Sequence, residues 1–328
     1  MPSFRTEFPV HRANFSIDHQ HPLLLVGSCF TEHMGARLTA AKFPVAVNPF
    51  GIVYNPASVA RSLERLWASS QPFPEAEVFE NQGLWHSWDH HGHFSQPDRT
   101  TMLEGLNRAY AASAQQLRRT QRLLLTFGTA DVFSLTGTGQ IVANNHKMPA
   151  ASFQQRRLEV DEIVRDVAVI LQKIIAEQRD FQVILTVSPV RHLRAGAVEN
   201  QRSKATLVLA CAALCERLPF ATYFPAYELL LDDLRDYRFY AADMVHPSEV
   251  AVHYIWQHFA DTFFAPATQR LMARIEQVRL AARHRPFHPD SPQHRTFTQA
   301  QLAAIADLTA AYPSLDFTAE IAHFQHFG

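Results

Sequence analysis

Gly27-Ser28-Cys29-Phe30-Thr31-Glu32 follows the apolar run Leu23 to Val26, with Pro22 before it. The next stretch, Thr31 to Leu38, can turn helical. A small residue and two nucleophile-capable ones at a strand-to-helix turn present an attacking atom, and the first amides of the helix face developing negative charge. The competing reading is a buried, inert cysteine that closes a strand. Far along the chain stands Asp243-Met244-Val245-His246-Pro247. An Asp and a His three apart can share one turn, where the carboxylate orients one imidazole nitrogen and the other faces a nucleophile. Pro247-Ser248-Glu249 reads as a helix start, so capping and loop hydrogen bonds compete for the same pair.

Other reactive side chains are less specific. His86, Asp89, His90, His91 and His93 include ligand types for zinc or iron, but no thiolate pattern or ligand spacing accompanies them, so the expectation is an exposed His-rich loop with no metal. Trp85, Trp88 and Phe94 around them suit a carbohydrate-facing platform or the packing of a lid. Arg191 and His192 follow a buried strand, where Arg191 suits a carboxylate or phosphate or a structural salt bridge. Lys204, near a helix start, offers the same choice. Asp236 and Arg238 are expected to fix the loop before Asp243. Gly137-Thr138-Gly139 lacks the pattern of a nucleotide loop, and no cofactor is expected.

The elements that must position these residues follow from periodicity. Short apolar runs at Leu23 to Val26, Val45 to Val47, Leu123 to Phe127, Phe181 to Val187 and Ala221 to Phe224 read as strands. Helical spacing marks Thr31 to Ala41, Pro56 to Ala68, Asp98 to Leu117, Arg157 to Arg179, Ser203 to Arg217, Val250 to Phe259 and Pro266 to Arg283. Residues 1 to 20 read as a polar lead-in, Pro72 to Glu80 as irregular, and Val132 to Asn145 as a possible hairpin. Arg285 to Thr296 reads as a linker, and Thr298 to Ala311 as a last amphipathic segment capped by Thr298, before a Phe-rich tail. Buried strands alternating with long helices predict a three-layer α/β fold with a mostly parallel sheet, whose reactive residues collect beyond the carboxyl ends of the strands. The division is a domain over 1–264 and a C-terminal helical extension over 265–328.

The 328 residues are 47% hydrophobic and 19% charged, enough apolar surface for a large core. Lys plus Arg number 30 against 31 Asp plus Glu, which gives no reason to expect nucleic acid or an anionic membrane as partner. Arg118-Arg119 and Arg156-Arg157 read as solvated helix faces. Cys211 and Cys215 lie in a helical apolar pattern and pack as small hydrophobes; with Cys29 they form no disulfide framework. No signal-peptide pattern or membrane-length apolar run is present, so the expected compartment is the cytoplasm. Nothing in the pattern sets an oligomeric state.

The chain resembles the GSCFA family, within the SGNH/GDSL hydrolase group. The likeness rests on Gly27 to Glu32, Asn48-Pro49-Phe50-Gly51-Ile52-Val53-Tyr54-Asn55-Pro56 and Phe127-Gly128-Thr129-Ala130. It continues through Ile141 to Pro149, Ser188-Pro189-Val190-Arg191-His192, Asn200 with Ser203-Lys204-Ala205, and Tyr223-Phe224-Pro225 on to Asp236 to Tyr240 and Asp243 to Pro247, spanning about residues 22 to 260. The resemblance implies a flavodoxin-like SGNH-hydrolase fold. The group's Gly-Asp-Ser block places Gly27 on the glycine, Ser28 on the aspartate and Cys29 on the nucleophilic serine, with Ser28 the second candidate. His246 would then be the base and Asp243 its orienting acid. The amides of Cys29 and Gly51 would hold the oxyanion. The third block normally supplies an asparagine where this chain has Ala130; Asn144, Asn145 or His146 either replaces it from the following loop or serves only to satisfy that folded loop. Losing that donor outright costs about 2.7–4 kcal/mol of transition-state stabilisation. His146, Arg191 and His192 are the expected substrate contacts. The implied activity is hydrolysis of an ester, such as an O-acylated glycan or related metabolite. Transfer of the same acyl group to a hydroxyl, or glycan binding or assembly without turnover, are the alternatives.

Overall fold

The computed structural model describes residues 6–68, 73–284, 286–288 and 291–326. Residues 1–5 of the lead-in, Pro72, and Arg285 with residues 289–290 of the expected linker lie outside them. The chain opens with β1 (Leu23–Gly27), α1 (Cys29–Ala40), β2 (Val45–Val47) and α2 (Pro56–Trp67). A hairpin of β3 (Val78–Asn81) and β4 (Leu84–Ser87) precedes α3 (Arg99–Arg119) and β5 (Arg122–Phe127). A small antiparallel sheet of β6 (Asp131–Leu135), β7 (Ile141–Val142) and β8 (Phe153–Arg157) leads to α4 (Val160–Glu177) and β9 (Gln182–Val187). Next come α5 (Ala197–Arg217), β10 (Ala221–Tyr223), a short α6 (Ala226–Glu228) continued by a π-helical turn over Leu229–Leu234, and α7 (Glu249–Phe263). Three further helices follow: α8 (Pro266–Arg283), α9 (Pro292–Ala311) and α10 (Thr318–His326).

The five-stranded sheet runs β2-β1-β5-β9-β10, every pair parallel. The chain steps outward from β1 to β2 and then returns past β1 to β5, so the direction of winding reverses between β1 and β5. Crevices at such a reversal, outside the carboxyl ends of the strands, are where open α/β sheets bind ligands. Period-2 alternation assigns the two faces. Leu24 and Val26 of β1, with Leu123, Leu125 and Phe127 of β5, pack into the core with α2, α3, α4 and α5. Leu23, Leu25, Leu124 and Ile184 join α1, α6 and α7 on the opposite side. Each buried Leu or Ile contributes about 1.5–3 kcal/mol, and a one-residue slip would exchange the faces, so the register is tightly held.

The last three helices have their own apolar cluster, including Leu271, Ile275, Ile305, Leu308, Phe317 and Phe324. Lys42 at the end of α1 docks them: its Nζ lies 2.9 Å from Glu320 Oε1 and 4.6 Å from the Phe317 ring centre.

Several local readings are corrected. α1 begins at Cys29 rather than Thr31. Arg156 and Arg157 end β8 rather than opening a helix, because pairing with β6 claims that backbone. The stretch read as irregular contains β3, completed by its pairing with β4. α5 starts at Ala197, six residues before Ser203. Ser291, not Thr298, caps α9; Thr298 is buried within that helix, and its hydroxyl donates to the Arg295 carbonyl at 2.9 Å. The Phe-rich tail contributes α10, since Phe317 and Phe324 complete the C-terminal cluster.

Candidate active site

Cys29 is the first residue of α1, immediately after Ser28 in the N-cap position. The turn is tight. Gly27 has φ +152°, and a Cβ on it would stand 2.2 Å from the Thr126 carbonyl oxygen, so β1 and β5 approach here only because no side chain intervenes. Asn48 holds the turn from the other side: its Oδ1 accepts from the Gly27 amide at 2.9 Å, and its Nδ2 donates to Glu32 Oε1 at 2.8 Å. The pair Ser28-Cys29 is thereby divided. Ser28 is fully buried, its hydroxyl without a partner among the described residues, whereas Cys29 is partly exposed on a cavity wall. Burial pushes the Cys29 thiol above its ordinary value, against the pull of the Cys29 and Phe30 amides and of Lys204. The resting group is therefore a thiol that needs a base.

His246 lies on the wall of the same cavity. Its Nδ1 is 2.6 Å from Asp243 Oδ2, while Asp243 Oδ1 accepts from the amides of Val245 at 2.9 Å and His246 at 3.0 Å. The His246 and Val245 amides, then the imidazole, draw the Asp243 carboxyl down to about 2. Helix capping, the competing reading of this motif, belongs to Ser248, whose Oγ accepts from the Ala251 amide at 3.4 Å. The loop is fixed to the sheet side by Arg191, whose amide donates to the Val245 carbonyl at 3.1 Å. With Nδ1 engaged, Nε2 is the imidazole atom left for proton transfer. No hydrogen bond joins Cys29 to His246 among the described residues; such contacts often tighten only when substrate is bound.

The cavity has a volume of about 400 Å³ and lies beyond the carboxyl ends of β1, β5 and β9. Besides Cys29 and His246 it gathers Tyr54, Asn144, Asn145, Arg191 and His192. Asn144 Oδ1 accepts from the His146 amide at 2.8 Å and Asn145 Oδ1 from the Lys147 amide at 3.4 Å. Their side-chain NH2 groups make no hydrogen bond among the described residues. His192 stands edge-on to Tyr54, ring centres 5.3 Å apart, with Nε2 buried and without a hydrogen-bond partner among the described residues. Burial, then the charges of Lys204 and His246, lowers its pKa to about 4, so it is a neutral imidazole at pH 7.

Two expected residues are elsewhere. The Gly51 amide donates to the Asn48 carbonyl at 2.7 Å, and Gly51 does not line the cavity, so its donor is already committed to the turn. A Cβ at Gly51 would stand 2.3 Å from the His91 Cβ, which explains the glycine by packing. His146 is buried away from the cavity, its Nε2 2.7 Å from the Ser87 carbonyl oxygen. Ala130 is also buried, its amide donating to Ser203 Oγ at 2.8 Å.

The His-rich segment, expected as an exposed loop, is instead scaffolding around this site, with His86, Asp89 and His90 buried by their ion pairs and ring contacts. Asp89 lies 2.8 Å from Arg65 Nε and 3.3 Å from Arg61 Nη1, and His90 is buried beside Ser87 and stacked on Phe50. Among the described residues, no group of three or more His, Cys, Asp or Glu could hold a metal ion, and no helix is long and apolar enough to cross a membrane.

Lys204, read from the sequence as an anion contact or a salt-bridge partner, makes no ion pair among the described residues and braces the sheet instead. It is 1% exposed, and its Nζ donates at 2.7 Å to both the Gly128 and Ser188 carbonyls, joining the ends of β5 and β9. Burial lowers its pKa to about 7, opposed by Cys29. The available signal was its place on the buried face of α5, in step with Leu207, Cys211 and Leu214.

Fold and site together define an α/β protein with a thiol, and an imidazole held by a carboxylate, at the crevice of a parallel sheet. The chain belongs to the GSCFA family, whose model matches residues 22–259; the model of the GSCFA domain protein C-terminal domain matches residues 275–327. No curated protein is similar enough to match it. Among solved structures, one described with the words "platelet activating factor from Streptococcus pneumonia" is 12% identical and has a TM-score of 0.38, covering 74% of this chain and 83% of the other.

Proposed function

We propose that this protein is an acyl-ester hydrolase of the SGNH/GDSL type, with a flavodoxin-like sheet and a cysteine in the nucleophile's place. The observation that carries the reading is the 2.6 Å contact of His246 Nδ1 with Asp243, on a cavity wall shared with the first residue of α1. The sheet order, with its reversal beside β1, supports the same reading.

In the first step Cys29 Sγ attacks the acyl carbon and His246 Nε2 takes the thiol proton. The imidazolium is held by Asp243, and the acyl oxygen becomes an oxyanion facing the Cys29 amide. Collapse breaks the ester C–O bond, the departing alkoxide takes the proton from His246, and a thioester remains. Water then gives a proton to His246 and its oxygen to the acyl carbon; the thiolate leaves and is reprotonated, releasing a carboxylic acid. His192 Nε2, or the NH2 of Asn144 or Asn145, is the donor available for the oxyanion in place of Gly51 and the missing third-block asparagine. Transfer to a sugar hydroxyl uses the same thioester with another acceptor.

A second reading, binding without turnover, draws on the committed Gly51 amide and on Ala130. Brief exposure to activated acyl esters, a rapid quench and peptide mass spectrometry separate the two. The hydrolase reading expects an acyl adduct on Cys29 that turns over and is lost in His246→Ala. A folded protein that neither acylates nor hydrolyses any ester of the panel sinks it.

A further inference from the structure

The charged side chains on the cavity wall do not balance. Its carboxylate, Asp131, is held by Arg157 at 3.0 Å, outside the cavity lining. Arg191 and Arg194 also line the wall, and neither makes an ion pair among the described residues. A structural salt bridge is one of two readings of Arg191, and no acid among the described residues pairs with it. Asp232 and Asp236 line an adjoining hollow with Arg191 and Arg235, but Asp236 Oδ1 accepts from the Arg238 amide at 2.9 Å and its Oδ2 lies 3.7 Å from the Arg238 Nε, and neither acid makes an ion pair with Arg191.

Arg191 is nonetheless held in place. Its guanidinium lies 4.1 Å from the ring centre of Tyr240 and 5.3 Å from that of Tyr237, and its backbone is tied to the His246 loop. Stacking on the two rings fixes the plane of the fork, and a hydrogen bond to the Tyr240 hydroxyl holds one edge, leaving the remaining N–H groups of the guanidinium for an anion. A cation fixed in this way beside a nucleophile and base loses little freedom when it captures an anion.

We infer that the ester taken by this cavity carries a compact anionic group, a carboxylate or a phosphate, which Arg191 binds in the fork of its guanidinium, with Arg194 adding positive charge on the same wall. The inference rests on the ester-hydrolase reading for the word ester, but not for the anion. A volume of about 400 Å³ suits a small molecule or the end of a larger one.

The test uses three p-nitrophenyl esters of matched length: a neutral pentanoyl, a carboxylate-ended glutaryl and a phosphonate-ended butanoyl ester. An anion-bearing ester is expected to exceed the neutral one in kcat/KM by about ten- to a hundredfold, the range of a charge-assisted hydrogen bond. Arg191→Gln should bring that ratio toward one, and Arg191→Lys should retain part of it. Whichever of the two anions is preferred identifies the group. In parallel, glutarate and inorganic phosphate are tested for protecting Cys29 from iodoacetamide, read by peptide mass spectrometry. Turnover without anion preference, or a preference that survives Arg191→Gln, overturns the inference and leaves the hydrolase reading standing. Protection that depends on Arg191, with no ester turned over, sustains the anion site and removes the hydrolase. The absence of both preference and protection overturns the inference.

Discussion

At the scale of single residues, the site depends on which groups are charged at neutral pH. Cys29 is held as a thiol by burial, while Lys204 and the first amides of α1 oppose that effect. Glu32 on the same helix adds to it, and His33, His192 and His246 stand on the surrounding elements. Because Lys204 titrates near 7, its cation supports the thiolate most fully below that pH. Lys204→Met should move the iodoacetamide profile of Cys29 to higher pH and slow the reaction several-fold at pH 6.5, where the lysine is mostly charged. Leaving the Gly128 and Ser188 carbonyls unpaired should also cost about 1–3 kcal/mol each in stability. Peptide mapping reads the first effect and urea unfolding the second. An unchanged profile in a folded variant would show that Lys204 only braces the strands. The two other cysteines complicate neither measurement, since burial pushes the Cys211 and Cys215 thiols up, the latter to about 11.

At the scale of elements, the β1–α1 turn is the part least able to change. Its geometry depends on the closeness of Gly27 to Thr126 and on Asn48 reaching across from the loop after β2. Gly27→Ala is expected to lose about 2–3 kcal/mol, seen as a lower urea midpoint, because backbone rather than a flexible side chain occupies the space. Cys29 should then react more slowly with acyl esters, since the start of α1 must move with the turn. The same dependence explains why the motif misleads at Gly51. Motif position suggests an amide aimed at the oxyanion, but the turn uses that amide to close on Asn48. The signal that could have warned of this was the Asn-Pro-x-Gly turn itself, which needs an internal hydrogen bond to close.

For the whole molecule, the neutral histidines set the response to acid. Burial lowers His90 to about 3 and leaves His146 and His192 at about 4. The unfolded chain binds their protons near 6.5, so between that pH and 3–4 it carries more protons than the folded one. Their contribution is complete above 6.5 and is lost as pH falls toward their folded values; Asp243, drawn down to about 2, acts in the same direction below its ordinary range. For His90 alone the loss at pH 5 is about 2 kcal/mol. Urea midpoints at pH 7.5 and pH 5.0 should therefore fall clearly on acidification, while an unchanged midpoint would mean that these rings are protonated in the folded state.

The sequence by itself determined the alternation of strands and helices, the parallel sheet and the identity of the Cys29 and Asp243-His246 blocks. Those follow from local periodicity and from residue types whose chemistry is intrinsic. Tertiary structure decided what local pattern cannot encode. It buried Ser28 while leaving Cys29 on the cavity wall, set His146 into the scaffold while leaving His192 beside Tyr54, and placed Lys204 between two strand ends. It also left Arg191 with no acid paired to it among the described residues, a fact about the neighbours that distant segments supply. Solvent access, hydrogen-bond commitment and charge balance are properties of packed surroundings, and they exist only once the sheet has brought those segments together.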